Sequence, residues 1–300
     1  MSLKKKCAVI LRKANTFAAT KGLLSFLSDE KFLKMRYKLC VGRSLDLNDP
    51  QTFNEKIQWL KIYNRSPKHV AMVDKILAKE YVTEIIGDEY VIPTLAVWDK
   101  AEDIDFDSLP DQFVLKCNHD SGGIVICRNK NELDRSAAIK KLTKALKRDP
   151  YNTAREWPYK LVQRRILAEQ YLEDDKLGEL RDYKFFTFNG EVKALFVASD
   201  RQDPTKPTKF DFFDSEYNRL PIKNGHPNSE KLPDKPQNFE LMKELAAKLG
   251  AGMPHLRVDF YEVNGKVYFG ELTFYHYGGL VPFEPNDWDQ IFGSWIDLNL

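Results

Sequence analysis

The chain has 300 residues, 43% of them hydrophobic and 30% charged, with 46 Lys and Arg against 44 Asp and Glu and a formal net charge of +2. That length supports two or three packed lobes, and the near-balance of charge gives no electrostatic reason to bind nucleic acid. No apolar run reaches the ~20 residues that span a bilayer, and four cysteines without metal spacing (Cys7, Cys40, Cys117, Cys127) point to a reduced, cytosolic setting rather than a disulfide framework.

Residues 1 to about 48 read as helical and basic, with breaks near Ser28-Asp29 and Gly42. The first stretch, MSLKKKCAVILRKANTFAATKGLLSFL, weakly resembles a signal peptide, but Arg12, Lys13 and Lys21 interrupt its apolar part and no clean cleavage site follows. It reads instead as an amphipathic helix whose basic face suits an anionic membrane surface or plain solvent. Thr52 with Glu55 three residues on is a capping box, opening a helix that carries Phe53, Ile57, Trp59, Leu60 and Tyr63. Ser66-Pro67 opens a second helix, expected to run unbroken through Asp74-Lys75 to Gly87.

Beyond Gly87 the period changes. Tyr90 to Pro93 and Leu95 to Trp98 read as short strands, Asp99 to Pro110 as an acidic connection, and Phe113 to Cys117 as a buried strand. Asn118 to Gly123 is a tight loop returning to the strand Ile124 to Cys127, and Asn131 to Arg148 is a lysine-rich helix. Arg165 to Leu172 is strand-like and leads into the polar loop Glu173 to Glu179. Asp182 to Phe188 and Val192 to Ala198 form a hairpin at Asn189-Gly190, a pair that favours a type I′ turn. Polar, proline-containing loops follow over Asp200 to Lys209 and Leu220 to Pro236, then an amphipathic helix from Asn238 to Leu249. A second Asn-Gly hairpin, turning at Asn264-Gly265, spans His255 to Phe274.

Three stretches carry chemistry. In the last hairpin Asp259 and Glu271 are twelve residues apart on opposite arms, with Arg257 and Thr273 two residues from each. Two readings fit that face: a solvated charge pair, or an oxygen-ligand site for Mg²⁺. Lys116 ends a strand beside Gly122-Gly123, which is either an ordinary hairpin or a phosphate cradle of backbone N–H groups and one ammonium. The chain has neither GxxxxGK[ST] nor GxGxxG. Glu169 to Leu172 leaves a strand for a loop, a geometry able to pair with a purine edge.

Taken in order, NDPQTFNEKIQWLK, VDK, FVLKCNH, AEQYL, DYKFFTFNG and YFGELTF resemble the TupA-like ATP-grasp family, named for teichuronopeptide synthesis, from about Tyr37 to the C-terminus. The resemblance implies an α+β ATP-grasp fold, with ATP between two lobes built on antiparallel sheets and an N-terminal helical extension. It divides the chain into a basic helical region (1–65), an N-terminal lobe (66–111), a small nucleotide-binding lid (112–172) and a C-terminal lobe with the metal site (173–300). It implies that Lys75 and Lys116 touch the phosphates, that His119, Ser121, Gly122 and Gly123 cover them, and that Glu169, Tyr171 and Leu172 hold adenine. Asp182 is implied for ribose. Arg257, Lys184 and His119 are implied for the chemistry, Arg257 as the stabiliser of the transferred phosphoryl group. Asp259 and Glu271 are implied as Mg²⁺ ligands, with Thr273 standing where many ATP-grasp enzymes have Asn.

These roles compose a cytoplasmic, ADP-forming carboxylate–amine ligase that uses ATP and Mg²⁺, with the inner membrane face as a further location. The family points to an amino acid joined to a uronic acid of a surface polysaccharide, so the partners are a carboxylate-bearing glycan or small molecule and an amine. Three rivals stand beside it: a nucleotide-sugar glycosyltransferase, a kinase that stops at phosphoryl transfer, and a non-catalytic binding module. The chain lacks an Asp-x-Asp motif at a strand end, which speaks against the first.

Overall fold

The structure is a computed structural model that describes residues 3–175, 180–201 and 205–299, with side chains from residue 9 on. Parts of the polar loops expected over Glu173 to Glu179 and Asp200 to Lys209 lie outside the described residues. Helices α1 (Leu3–Thr20) and α2 (Asp29–Val41) lead into α3 (Phe53–Tyr63), whose first turn is closed by the reciprocal Thr52–Glu55 capping box. A cap of this kind contributes about 1 kcal/mol.

The next expected helix is two. Helix α4 (Pro67–Val73) stops where Asp74 turns extended, at φ −76° and ψ 113°, and α5 (Leu77–Ile86) begins three residues later. The break is filled from outside the helix. Asp74 Oδ1 accepts from the Ile76 N–H, its Oδ2 accepts from Asn118, and the Lys75 N–H donates to the Asn118 carbonyl at 3.1 Å. Asp74-Lys75 is therefore a seam between the helices and the loop after the second strand. The expected strand at Tyr90 to Pro93 is absent; Asp88–Tyr90 is one turn of 3₁₀ helix.

Among the described residues the strands make two antiparallel sheets. The smaller has four: β1 (Thr94–Trp98), β2 (Phe113–Cys117), β3 (Ile124–Cys127) and β4 (Ile166–Gln170), in the order β1-β4-β2-β3. Helix α6 (Arg135–Leu146) covers it, and a core of Phe106, Leu109, Phe113, Leu115, Leu142 and Ile166 joins them. The boundary expected at 111/112 thus falls inside one sheet and one core, because β1 pairs with β4 rather than with the preceding helices. The short α7 (Pro150–Ala154) connects α6 to β4.

The larger sheet has six strands: β5 (Asp182–Phe188), β6 (Glu191–Ser199), β7 (Lys209–Asp214), β8 (Arg219–Leu220), β9 (Leu256–Val263) and β10 (Lys266–Thr273), in the order β10-β9-β5-β6-β7-β8. Both Asn-Gly turns form as expected: Asn189, Gly190, Asn264 and Gly265 all have positive φ, as a type I′ turn requires. One face packs on α8 (Phe239–Gly250), with Phe185, Val258 and Phe260 against Phe239 and Leu245. On the other face Phe186, Phe196 and Phe212 continue to Phe53 of α3 and to Phe292 of α9 (Asp287–Ser294). That second face is apolar at one end and charged at the other, and the charged end meets the small sheet. The α+β class expected from the sequence is observed.

Candidate active site

A cleft between the two sheets is lined by Lys75, Lys79, Lys116 and Glu169 on one wall and by Phe269, Gly270, Glu271 and Leu272 on the other, with Met72, Val73 and Tyr159 at its sides. Lys75, Lys116, Glu169 and Glu271, singled out from the sequence, therefore share one space. Lys79 was not singled out; it lies in the first turn of α5, just past the break that holds Lys75.

The small-sheet wall is built around Glu169. Its Oε1 takes the Lys79 ammonium at 2.8 Å and its Oε2 takes Lys116. Burial pushes the carboxyl up, but the two lysines outweigh burial and bring it down to about 2. Burial lowers Lys79 itself, so the gain from this contact falls on the carboxylate. A depressed acid stabilises the fold fully above its ordinary value of 4.5 and loses that contribution as pH falls toward about 2. The stability gap between the protein and Glu169→Gln is therefore expected to reach about 3 kcal/mol above pH ~5 and to shrink across that window, as denaturant melts at stepped pH would measure. A gap independent of pH would refute the coupling.

Three lysines against one carboxylate leave this wall positive, which suits an anion. The Lys75 ammonium donates to the Asp120 carbonyl at 3.1 Å, at the edge of the loop that continues through exposed Ser121 and Gly122 to buried Gly123. Asp120 is tied to Arg148 of the α6 end at 2.7 Å. His119 does not join the site. It is buried, its Nε2 faces the Arg148 carbonyl at 3.2 Å, and none of its contacts among the described residues reaches Lys184, Arg257 or Glu271. Burial lowers its pKa, so it stays neutral there. Tyr171 also turns out of the cleft: its hydroxyl accepts from Arg128 at 3.0 Å beside an outer crevice, while Tyr171 and Leu172 continue past the end of β4.

The opposite wall depends on a β-bulge. Val263 pairs with Lys266 across the turn, so an unbroken ladder would set Asp259 against Gly270 and Glu271 against Val258. The register slips by one between Phe269 and Glu271, and Glu271 comes to face Asp259. A one-residue slip moves side chains to the other face, so this bulge decides whether the two carboxylates meet. Gly270 permits it: a Cβ there would lie 3.0 Å from the Asp259 carbonyl oxygen. On β5, Lys184 pairs directly with Asp259.

The result is a buried charge lattice. Arg257 forks onto Asp259, Nε to Oδ1 at 2.7 Å and Nη2 to Oδ2 at 2.8 Å, and also donates to Glu271 at 3.1 Å and Thr273 at 2.9 Å. Lys184 bridges Asp259 and Asp182, and Arg201 closes Asp182 from the far side. Burial raises the Asp259 carboxyl, yet the two cations it touches hold it as a carboxylate. Asp182 is lowered, its burial outweighed by Lys184 and Arg201. The ribose contact implied for Asp182 meets a carboxylate whose two oxygens are both engaged, and Asp182 serves here as the counter-ion of Lys184. Asp259 is 1% exposed, whereas the Glu271 side chain keeps 35% of its surface, so Glu271 is the carboxylate that faces the cleft. Lys184, Lys75 and Arg257 hold it well below the usual carboxylate range against the opposing effect of burial.

Arg257 is itself held. Its Nη1 donates to His276 Nδ1 at 2.8 Å, and because arginine has no acceptor, the His276 proton sits on Nε2 and is donated to Asn224 Oδ1 at 2.9 Å. Burial and the facing cations keep His276 neutral. The turn bearing His276 is fixed by α3: Gln58 donates to the Gly278 and Gly279 carbonyls at 2.9 and 2.8 Å, and Lys61 to Gly278 at 2.7 Å. The polar residues inside the FNEKIQWLK helix thus brace the arginine from behind. His276→Leu is expected to lower kcat ~10-fold or more with KM for the nucleotide nearly unchanged, while His276→Gln, which keeps an acceptor, restores most of the rate. Equal losses in both variants would leave His276 a packing residue. Asn224 carried no signal in the sequence, being a lone polar residue in a loop.

As to a metal, the described residues contain no group of three or more His, Cys, Asp or Glu that could hold one. The donor set is two paired carboxylates and the Thr273 hydroxyl, the latter engaged by Arg257. That set fits Mg²⁺, which binds through one or two carboxylates and fills its shell with phosphate oxygens and water, and does not fit a metal that needs a full protein cage.

Residues 55–297 match the family model described as TupA-like ATPgrasp. Among solved structures, a D-alanine–D-alanine ligase from Helicobacter pylori is 13% identical, with a TM-score of 0.45, over 83% of this chain and 68% of that one. An L-amino acid ligase from Bacillus licheniformis is 12% identical, TM-score 0.45, over 82% and 55%. The ATP-grasp ligase PsnB, complexed with a minimal precursor, Mg and ADP, is 13% identical, TM-score 0.40, over 73% and 57%. This chain therefore spans little more than half the length of the last two. No curated protein matches.

Proposed function

The chain belongs to the TupA-like ATP-grasp family, and from that premise we propose that it is an ATP- and Mg²⁺-dependent carboxylate–amine ligase of the cytoplasm. It joins an amino acid to a uronic acid of a surface polysaccharide through an acyl phosphate, releasing ADP as that phosphate forms and inorganic phosphate as the amine displaces it. One observation carries this reading: a lysine-rich wall and a carboxylate wall held by Arg257 face each other across one cleft between two antiparallel sheets.

Each residue has a task in that reaction. Lys75, Lys79 and Lys116 hold the phosphates as point charges, and Lys116 and Lys79 exchange Glu169 for them in part. The strand end from Glu169 through Tyr171 and Leu172 offers backbone groups to adenine, and Ser121 to Gly123 shields the phosphates from water. Glu271 and Asp259 are the residues that would hold Mg²⁺, which would supply charge neutralisation for the phosphates. Arg257 and Lys184 offset the charge that grows on the transferred phosphoryl group and then on the acyl carbon's oxygen as the amine attacks.

Thermal stabilisation tests the premise. Mg-ATP is expected to raise the melting temperature, since a ligand at ~100 times its Kd adds about 2.7 kcal/mol, and Lys116→Ala is expected to weaken that shift. Release of ADP should then require both a uronic acid and an amine. A shift given by uridine-linked sugars and not by Mg-ATP would replace this reading with a glycosyltransferase; ADP release without an amine would replace it with a kinase.

A further inference from the structure

Helix α1 touches the rest of the protein along one side. Asn15 and Thr16 accept hydrogen bonds from Arg36 of α2 at 2.8 and 2.9 Å, and Ala19 is fully buried. Ile10 and Phe17 are seven residues apart, about two helical turns, and Ile10 is about half a turn round the axis from Ala19. They are 65% and 62% exposed. The chain then leaves Leu23 and Phe26 bare before α2 begins, Phe26 at 80% the most exposed large apolar residue among those described. These four residues form no part of the core and have no partner in the cleft.

The charge around them is one-sided. Residues 1–28 contain six lysines and arginines and no aspartate or glutamate, in a chain whose net charge is +2. Arg12, Lys13 and Lys21 are exposed, and the Lys21 ammonium lies 5.9 Å from the Phe17 ring. No described helix is long and apolar enough to cross a membrane. Large apolar side chains set among cations alone match the boundary of an anionic bilayer, where the apolar groups enter the acyl region and the cations meet headgroup phosphates.

We infer that α1 and the turn after it lie in the plane of an anionic lipid surface, with Ile10, Phe17, Leu23 and Phe26 inserted and Lys13 and Lys21 at the headgroups. The inference is independent of the ligase reading, since none of these residues touches the cleft.

Co-sedimentation of the full chain with vesicles tests it. The protein is expected to pellet with phosphatidylcholine vesicles containing phosphatidylglycerol and not with phosphatidylcholine alone, and the binding should weaken as salt rises from ~0.1 to ~0.5 M. The triple variant Ile10→Glu, Phe17→Glu, Phe26→Glu should lose binding at least ~10-fold with an unchanged melting temperature, because no core contact is removed. A second variant, Lys13→Gln with Lys21→Gln, should also reduce pelleting with the anionic vesicles. Failure of the parent protein to pellet with anionic vesicles, or undiminished binding of the triple variant, overturns the inference. So does a concentration-dependent dimer that the triple variant abolishes while no vesicle is bound, which would assign the face to a second copy of the chain.

Discussion

Glu271→Gln is expected to lower ADP release ~10³-fold or more with a smaller loss of stability than Asp259→Asn, because the Glu271 side chain keeps 35% of its surface exposed and solvent screens the charge that is removed. Glu271 is the carboxylate that reaches the cleft, with 35% of its side-chain surface exposed, and its contact with Arg257 at 3.1 Å is one of several that Arg257 makes. Glutamine can still accept from that arginine. What it cannot do is balance a divalent cation beside the nucleotide. Asp259→Asn makes the contrast: the same loss of activity should come with a loss of ~3–5 kcal/mol, since Arg257 and Lys184 would then face each other buried across a neutral side chain. Stepwise denaturation of both variants beside an ADP-release assay separates the two. Full activity in Glu271→Gln would withdraw the metal assignment.

Arg257→Lys is expected to lower kcat ~10²- to 10³-fold and the melting temperature by about 5 °C or more, although the charge is conserved. The guanidinium makes five contacts: Nε and Nη2 to Asp259, Nη1 to His276, and Nη2 again, its two hydrogens shared, to Glu271 and Thr273. An ammonium has three donors and no fork, so it cannot hold Asp259 bidentate and also reach His276 Nδ1. The Asp259 carboxylate and the neutral His276 would lose partners in a buried site, where each unmet polar group costs about 1–3 kcal/mol. Assays well below the melting temperature distinguish the catalytic loss from the stability loss. A lysine variant that keeps the parental rate would make Arg257 a structural brace only.

Much of the architecture was legible in the sequence because it rests on local rules. Alternation and two Asn-Gly pairs locate the hairpins of the large sheet, since those turns need positive φ that Asn and Gly accept cheaply. The Thr52–Glu55 box fixes the start of α3. The family resemblance, carried by short motifs in order, agrees with the match over residues 55–297. Helix continuity through Asp74-Lys75 was misjudged because the periodicity there is unbroken while the hydrogen bonds that end α4 come from Asn118, 44 residues away. His119 and Tyr171 sit in the right motifs, yet packing against α6 and Arg128 points them elsewhere.

Local pattern puts the residue types on their elements: two acids, an arginine and a threonine on one hairpin, lysines and a glutamate elsewhere. That they face one another is a product of assembly. Counting from the turn puts Asp259 opposite Gly270, and the bulge at Gly270 brings Glu271 into that place. A glycine in a strand hints at such a slip without fixing it. The direction of the slip is set by what the residues of β10 must meet, buried Leu272 beside Val258 and Glu271 beside Asp259 in the charge lattice. Those partners lie on other elements, and a choice enforced by burial on one face and charge pairing on the other is made only when the sheets are assembled.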